Sequence, residues 1–355
     1  MEDVINIGSS ADNSSATIDR RIAVAPMMDW TDRHCRYFLR GFGPSALLYT
    51  EMITAEALLR GDTHRLLHFD PAEQPVALQL GGSDPARLAA AARRGAEAGY
   101  VEINLNCGCP SDRVHAGAFG ACLMREPQRV AECVSAMRAA VAVPVTVKMR
   151  IGVIDDRGAA ARARVAAFDE SDELALHDFI GAVAAAGCQR IVVHARKAVL
   201  GGLSPAENRS VPPLRYEVVR EIKRRWPGLQ VVLNGGLSEV DAIAQCLRWC
   251  DGVMVGREAY HRPYVLWELE QRFGQTHLPR PGEAELLLRM ARYAEAQVAR
   301  GESLANIVRH MLGLYASRNG ARNYRRLLSE GCRGDGIAVL YRAAERAAAD
   351  QPEAA

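Results

Sequence analysis

The sequence predicts an α/β chain: a (β/α)8 TIM barrel over residues 21–275, followed by an all-helical domain over 280–350. Three observations lead there. Short runs rich in Val, Ile and Leu recur, separated by stretches long enough for helices. Polar residues gather at the C-terminal ends of those runs. After about Gln275 the strand pattern stops, Pro279 and Pro281 mark a break, and amphipathic helical periodicity continues alone. A length of 355 residues fits one barrel plus an appendage, and 49% hydrophobic residues supply a large core.

The runs are Arg21–Met27, Ala46–Met52, Val76–Leu80, Tyr100–Asn106, Val145–Arg150, Arg190–Arg196, Gln230–Asn234 and Gly252–Gly256. Between them lie helical stretches such as Asp84–Ala98 and Pro127–Val141. Asp84 followed by Pro85 is an N-cap with proline at the first helical position. Continuous apolar strands alternating with helices predict a parallel sheet buried on both faces, and eight such units favour a closed barrel. The strand ends carry Met28, Glu51, Gln79, Asn106, Lys148, Arg150, His194, Asn234 and Arg257, at the end where such a barrel works. Residues 155–172 read as a mobile insertion at the mouth or a surface loop. Residues 1–20, polar and rich in Ser and Asn, read as a flexible tail without the marks of a signal peptide.

Composition narrows the function. A net charge of +2 means that any nucleic-acid site is a local patch. Nine cysteines without a CxxC pair read as a reducing, cytoplasmic setting. No apolar run reaches the roughly 18 residues of a membrane span. CxC at Cys107 and Cys109 supplies too few ligands for a metal, and no metal is expected. Nothing in the sequence calls for an obligate protein partner.

The chemistry concentrates at the mouth. Asn234-Gly235-Gly236 and Gly256-Arg257 end the last two strands, where glycines expose backbone N–H groups and this fold binds phosphate. A phosphate held there suits FMN, and no GxGxxG follows a first strand. Pro26-Met27-Met28 offers a flat apolar surface to a ring system, and Gln79 a carboxamide. Lys148 can stabilise the negative charge of a reduced flavin, or serve as a Schiff-base lysine. His194 can donate one hydrogen bond when neutral. Cys109 sits in a turn before Pro110 and projects, whereas Cys107 directly ends its strand and reads as a buried small hydrophobe. Free thiols, with pKa near ~8.5, are mostly protonated at neutral pH and can act as general acids.

Taken together, several runs resemble the tRNA-dihydrouridine synthases: Ala25-Pro26-Met27-Met28-Asp29, Gln79-Leu80-Gly81, Asn104 to Ser111, Val147 to Gly152, His194-Ala195-Arg196, Asn234-Gly235-Gly236 and Gly256-Arg257. The resemblance spans roughly residues 20–330 in the right order. The run Gly202 to Arg209 resembles the family's bacterial A-type branch, which acts on D-loop uridines 20 and 20a. The resemblance implies an FMN barrel, a helical tRNA-binding domain and NADPH as reductant. It implies flavin contact at Pro26, Met27, Met28, Gln79, Lys148, His194, Asn234, Gly235, Gly236, Gly256 and Arg257, and Cys109 as proton donor. It implies tRNA contact at Asn106, Ala206, Glu207, Arg209, Arg322 and Arg325. Ala206 stands where the branch commonly has lysine, and His115 and Ala118 stand where Gln and Arg are expected.

The implied reaction adds hydride from FMN N5 to C6 of a uridine turned out of its stack, while Cys109 protonates C5. Asn106 and Arg196 are candidate donors to the base. Two rivals share parts of this pattern: a small-molecule FMN dehydrogenase acting on a dihydropyrimidine, and a colourless aldolase using Lys148. Neither accounts for the segment 309–333, where Arg309, Arg318, Arg322, Arg325, Arg326 and Arg333 face one acid, Glu330. If helical throughout, that segment sets Arg318, Arg322 and Arg325 on one face, suited to phosphates.

Overall fold

Alternation along each strand decides what faces the helices and what faces the lumen. On β4 (Glu102–Cys107), Ile103, Leu105 and Cys107 enter the main hydrophobic core, and Glu102, Asn104 and Asn106 face the other way, buried. On β5 (Val145–Arg150) the same division separates Val145, Val147 and Met149 from Thr146, Lys148 and Arg150. These strands belong to a closed parallel barrel in the computed structural model, which describes residues 18–111, 119–155, 159–201, 203–274, 278–316 and 318–349. Residues 1–17 of the expected tail, and His115, Ala118, Asp156, Arg157 and Gly158, lie outside the described residues.

The remaining barrel strands are β1 (Ile22–Val24), β2 (Leu47–Thr54), β3 (Val76–Gly81), β7 (Arg190–His194), β9 (Gln230–Asn234) and β10 (Gly252–Val255). Around the barrel they run β1, β10, β9, β7, β5, β4, β3, β2. Every expected run becomes one of these strands. The expectation of strands apolar on both faces needs correction, because β4 and β5 turn polar side chains inward. Burial of those groups is tolerated because they bond to one another. A smaller apolar cluster of Ala23, Ala25, Leu47, Tyr49, Ala77, Val192, Val232 and Met254 fills the rest of the lumen.

The outer helices follow their caps. Asp84 accepts from the Arg87 N–H at 2.8 Å and starts Pro85–Glu97. Asp169 caps Glu170–Ala185 through a reciprocal box with Asp172. The stretch read as an insertion or loop holds a helix, Ala159–Ala166, between β6 (Val153–Asp155) and that cap. β6 pairs in parallel with β8 (Ala198–Leu200) outside the barrel. Buried Lys197 fastens this layer, bonding to the Asp172 carboxylate and, at 3.0 Å, to the Arg164 carbonyl.

The C-terminal region is helical: Glu283–Ala299, Leu304–Val308, Ala321–Gly334 and Ala338–Ala349. Leu287, Leu328 and Leu340 are fully buried in its core. Asp32 docks it on the barrel. One Asp32 oxygen accepts from the Cys35 N–H at 2.9 Å, capping Arg33–Leu39, and the other takes Arg309 at 2.7 Å and His310 at 3.0 Å. Tyr37 stacks on Tyr293 at 3.9 Å beside it. The single arginine face expected over Arg318, Arg322 and Arg325 also needs correction. The helix begins at Ala321, after Gly320 in the left-handed region at φ 84°, and Arg318 pairs with Glu283. Arg322, Arg325, Arg326 and Arg333 are exposed and form no ion pair among the described residues.

His310, Arg309 and the Cys35 N–H together hold the Asp32 carboxyl well below the usual carboxylate range. Its contribution is therefore complete above that range, begins to fall within it, and is lost only as pH drops through the depressed folded-state value. Asp32→Ala is expected to lower stability at pH 7 by about 3 kcal/mol, the combined loss of a cap and a partly buried ion pair. Denaturant unfolding of both proteins from pH 7 to pH 3 checks this, with the gap between the two curves constant near neutral pH and narrowing without closing by pH 3.

Candidate active site at the barrel mouth

The inward positions of β4, β5, β7, β9 and β10 meet at the C-terminal end of the barrel. Register sets the neighbours: Asn106 lies beside Lys148, Arg150 beside His194, and His194 beside Asn234. Lys148 Nζ donates to Asn234 Oδ1 at 3.0 Å, and Asn234 Nδ2 donates to the Met254 carbonyl at 2.7 Å. Asn234 thus presents its oxygen to the lysine in one fixed orientation.

Arg150 is almost fully buried and spends its guanidinium on three carbonyls, those of Gly108, Lys197 and Asn208, each at 3.0 Å. It ties the loop after β4 to the loop after β8. Asn208, also buried, closes the second loop by bonding both Val199 backbone groups. Arg209 follows, and Arg257 reaches its carbonyl at 3.3 Å. Lys148, Arg150, Arg196, Arg209 and Arg257 form no ion pair among the described residues. Desolvation, reinforced by Arg150, pulls the Lys148 ammonium down to about 7. Desolvation and the cations Arg150, Lys148, Arg196 and Arg257 hold His194 well below its ordinary pKa, so its imidazole is neutral at pH 7.

The loop after β4 hangs from Asn106. Its Oδ1 accepts from the N–H groups of Gly108 at 3.1 Å and Cys109 at 2.9 Å, and its Nδ2 donates to Gln79 Oε1 at 2.8 Å. Cys109 is partly exposed and lies within electrostatic reach of Lys148, Arg150 and Arg209. Cys107 is fully buried, and desolvation pushes its thiol well up. The two cysteines therefore differ in access, as their positions in the sequence suggest.

Two glycines are required where they stand. Gly235 has φ 106°, and a Cβ there would meet the His194 ring at 2.4 Å; Gly236 has φ 68°, and a Cβ would meet Leu214 at 2.3 Å. Gly256 lies beside Met27 and caps the helix Arg257–His261. Across the mouth, Pro26, Met27 and Met28 follow β1, and Met28 is 57% exposed. The next residue, Asp29 at φ 63°, donates its N–H to Glu51, whose carboxyl is pushed up by burial and by Asp32.

The structure brings Asn106, Cys109, Lys148, His194, Asn234, Gly235 and Arg257 together, with Gln79 joined through Asn106. Ala206 and Glu207 lie on the Arg209 loop, where Glu207 accepts from the Ser204 N–H at 2.8 Å. Arg322 and Arg325 stand apart on Ala321–Gly334, bonded to none of these residues. The residues that sequence reasoning underrated are Arg150, Asn208, Asn104, Thr146 and Glu102. For all but Asn208, which lies in the loop after β8, the signal was the polar residue at every second position of two otherwise apolar strands.

The chain is similar to known proteins over most of its length. The family model described as dihydrouridine synthase matches residues 23–348. A tRNA-dihydrouridine(20/20a) synthase from Xanthomonas axonopodis pv. citri is 52% identical over 340 residues, covering 95% of this chain and 96% of the relative. Proteins of the same description from Pseudomonas aeruginosa and Synechocystis sp. are 51% and 53% identical, covering 89% and 87% of this chain and 91% and 88% of their own lengths.

Proposed function

The chain belongs to the dihydrouridine synthase family, and from that premise we propose that it reduces D-loop uridines 20 and 20a with FMN at the barrel mouth and NADPH as reductant. It is an oxidoreductase that converts uridine in tRNA to 5,6-dihydrouridine. As a tRNA-modifying enzyme it works in the cytoplasm. The observation that carries the flavin reading is the set of five cations at the mouth without a carboxylate partner among the described residues. Such a set suits an anion, with Arg209 and Arg257 exposed at the opening and Lys148 and Arg150 set further in. FMN brings a phosphate and a ring that becomes negative on reduction, so the residues present fit it.

Arg257, Gly235, Gly236 and Gly256 would hold the phosphate end, with Arg209 and Arg196 adding positive charge. Pro26, Met27 and Met28 would flank the ring, with Gln79, Lys148, His194 and Asn234 at its polar edge. Bound FMN supplies the hydride that adds to C6 of the uracil. Lys148 supplies the charge that balances the reduced ring, and neutral His194 can donate to a carbonyl. Cys109 protonates C5 of the base, and the nearby cations stabilise the sulfur left behind. Asn106 has both lone pairs of Oδ1 engaged, so it offers the base a single N–H and no acceptor. The barrel over 21–275 carries the chemistry, and the helices over 280–350 hold the tRNA together with the loop of Ala206, Glu207 and Arg209.

Replacement separates the two thiols. Cys109→Ala is expected to retain FMN and NADPH oxidation with an external acceptor while losing about a hundredfold or more of dihydrouridine formation. Cys107→Ala should leave that step largely intact. Equal losses in the two variants, or a larger loss of chemistry in Cys107→Ala, overturn the assignment of Cys109.

The tRNA surface has its own test. Arg322→Ala combined with Arg325→Ala should weaken tRNA binding and make its salt dependence shallower by about one unit of slope, at most, per lost phosphate contact. FMN content and NADPH oxidation without tRNA should stay at wild-type levels. Unchanged affinity across a salt series removes these residues from the tRNA surface and favours a small-molecule substrate.

A further inference from the structure

We propose that Thr146, buried on β5, positions the Cys109 loop through a directed hydrogen-bond chain anchored on Glu102 at the opposite end of the barrel. The chain crosses three neighbouring strands, because Gln79, Asn104 and Thr146 are consecutive partners in the barrel register. Its members are buried: Glu102 and Asn104 at 0%, Gln79 and Thr146 at 1%, and Asn106 at 7% exposure.

Its direction is fixed at both ends. The backbone N–H groups of Gly108 and Cys109 can only donate, so Asn106 meets them with its oxygen. The Asn106 amide nitrogen therefore donates to Gln79 Oε1 at 2.8 Å. Gln79 Nε2 must then donate to Asn104 Oδ1, also at 2.8 Å. Asn104 Nδ2 donates to the Thr146 hydroxyl at 2.8 Å, and that hydroxyl donates to Glu102 Oε1 at 2.8 Å. Glu102 ends the chain and is itself steadied by the Tyr49 hydroxyl and by Arg20 at 3.2 Å. Each carboxamide thus has one orientation. Hydrogen bonds aligned this way in a low-dielectric interior polarise one another.

Thr146 is the joint that converts amide donation above into donation to a carboxylate below. Without its hydroxyl, Asn104 loses its acceptor and can turn over, Gln79 can follow, and the hold of Asn106 on the Cys109 backbone loosens. Thr146 reaches the reacting atoms only through these side chains, so it is a positioning residue. Its effect belongs to the step in which Cys109 gives up a proton, and the inference rests on that reading of Cys109.

The test compares FMN-loaded Thr146→Val, which keeps the shape and removes the hydroxyl, with Thr146→Ser, which keeps the hydroxyl. Thr146→Val is expected to lower kcat for dihydrouridine formation by about ten- to a hundredfold, the scale of sub-ångström misplacement. The loss should fall mainly on kcat rather than on KM for tRNA, and NADPH oxidation with an external acceptor should change far less than dihydrouridine formation. The rate of Cys109 alkylation by iodoacetamide, read by peptide mass mapping, should also change. Thr146→Ser should restore both readouts. If Thr146→Val does not yield folded holoenzyme, Thr146→Ala carries the same comparison. Wild-type kcat and alkylation rate in the variant lacking the hydroxyl overturn the proposal. So does equal impairment of Thr146→Ser, which would assign the effect to packing. Should Cys109→Ala remain active while the alkylation rate still follows the Thr146 hydroxyl, positioning stands and the proton-donor reading fails.

Discussion

Positive charge that meets no counter-charge among the described residues, at the C-terminal ends of β5, β7 and β10, is the constraint that organises the mouth. Lys148, Arg150, Arg196, Arg209 and Arg257 crowd one side of it, and no carboxylate among the described residues pairs with them. The protein meets part of the cost itself. Arg150 disperses its charge over three carbonyls, and His194 stays neutral. Lys148, pulled down to about 7, is left near its titration point, bonded to Asn234. That is the arrangement expected of a site completed by an anionic ligand. The glycines at 235 and 236 keep the adjoining backbone free of side chains.

The other side of the mouth works by neutral bonding. β3, β4 and β5 carry amides and hydroxyls that satisfy one another down to Glu102, and Asn106 converts that rigidity into a fixed loop around Cys109. The two halves meet between Asn106 and Lys148, register neighbours on β4 and β5. A thiol on a rigid support beside a cationic pocket is a division of labour that one closed sheet can supply, because alternate residues of each strand share the lumen. Asp32 does a comparable job at the rim, where one carboxylate caps a barrel helix and anchors the C-terminal helices.

Much of this was legible in the sequence, and the exceptions have physical causes. The eight barrel strands stood out because each is an apolar run long enough to register, and Asp84-Pro85 announced its helix because cap chemistry is local. β6 and β8 did not stand out, since three residues carry no period and only their mutual pairing makes them strands. The gathering of strand-end residues at one mouth followed from the fold. The inner chain of Glu102, Asn104 and Thr146 did not, because a polar residue inside a strand names no partner until the register is known. Arg318 escaped for the opposite reason. Helical spacing put it beside Arg322 and Arg325, but Gly320 interrupts the helix and Glu283, distant in sequence, claims its charge.

The central claim is that the cations at the mouth, without an ion pair among the described residues, hold a flavin phosphate and balance a reduced flavin ring. The visible spectrum of the purified protein, followed anaerobically, tests it most directly. The account predicts stoichiometric FMN whose absorption bleaches with NADPH and returns when tRNA lacking dihydrouridine is added. A colourless protein that takes up no FMN on reconstitution would contradict it.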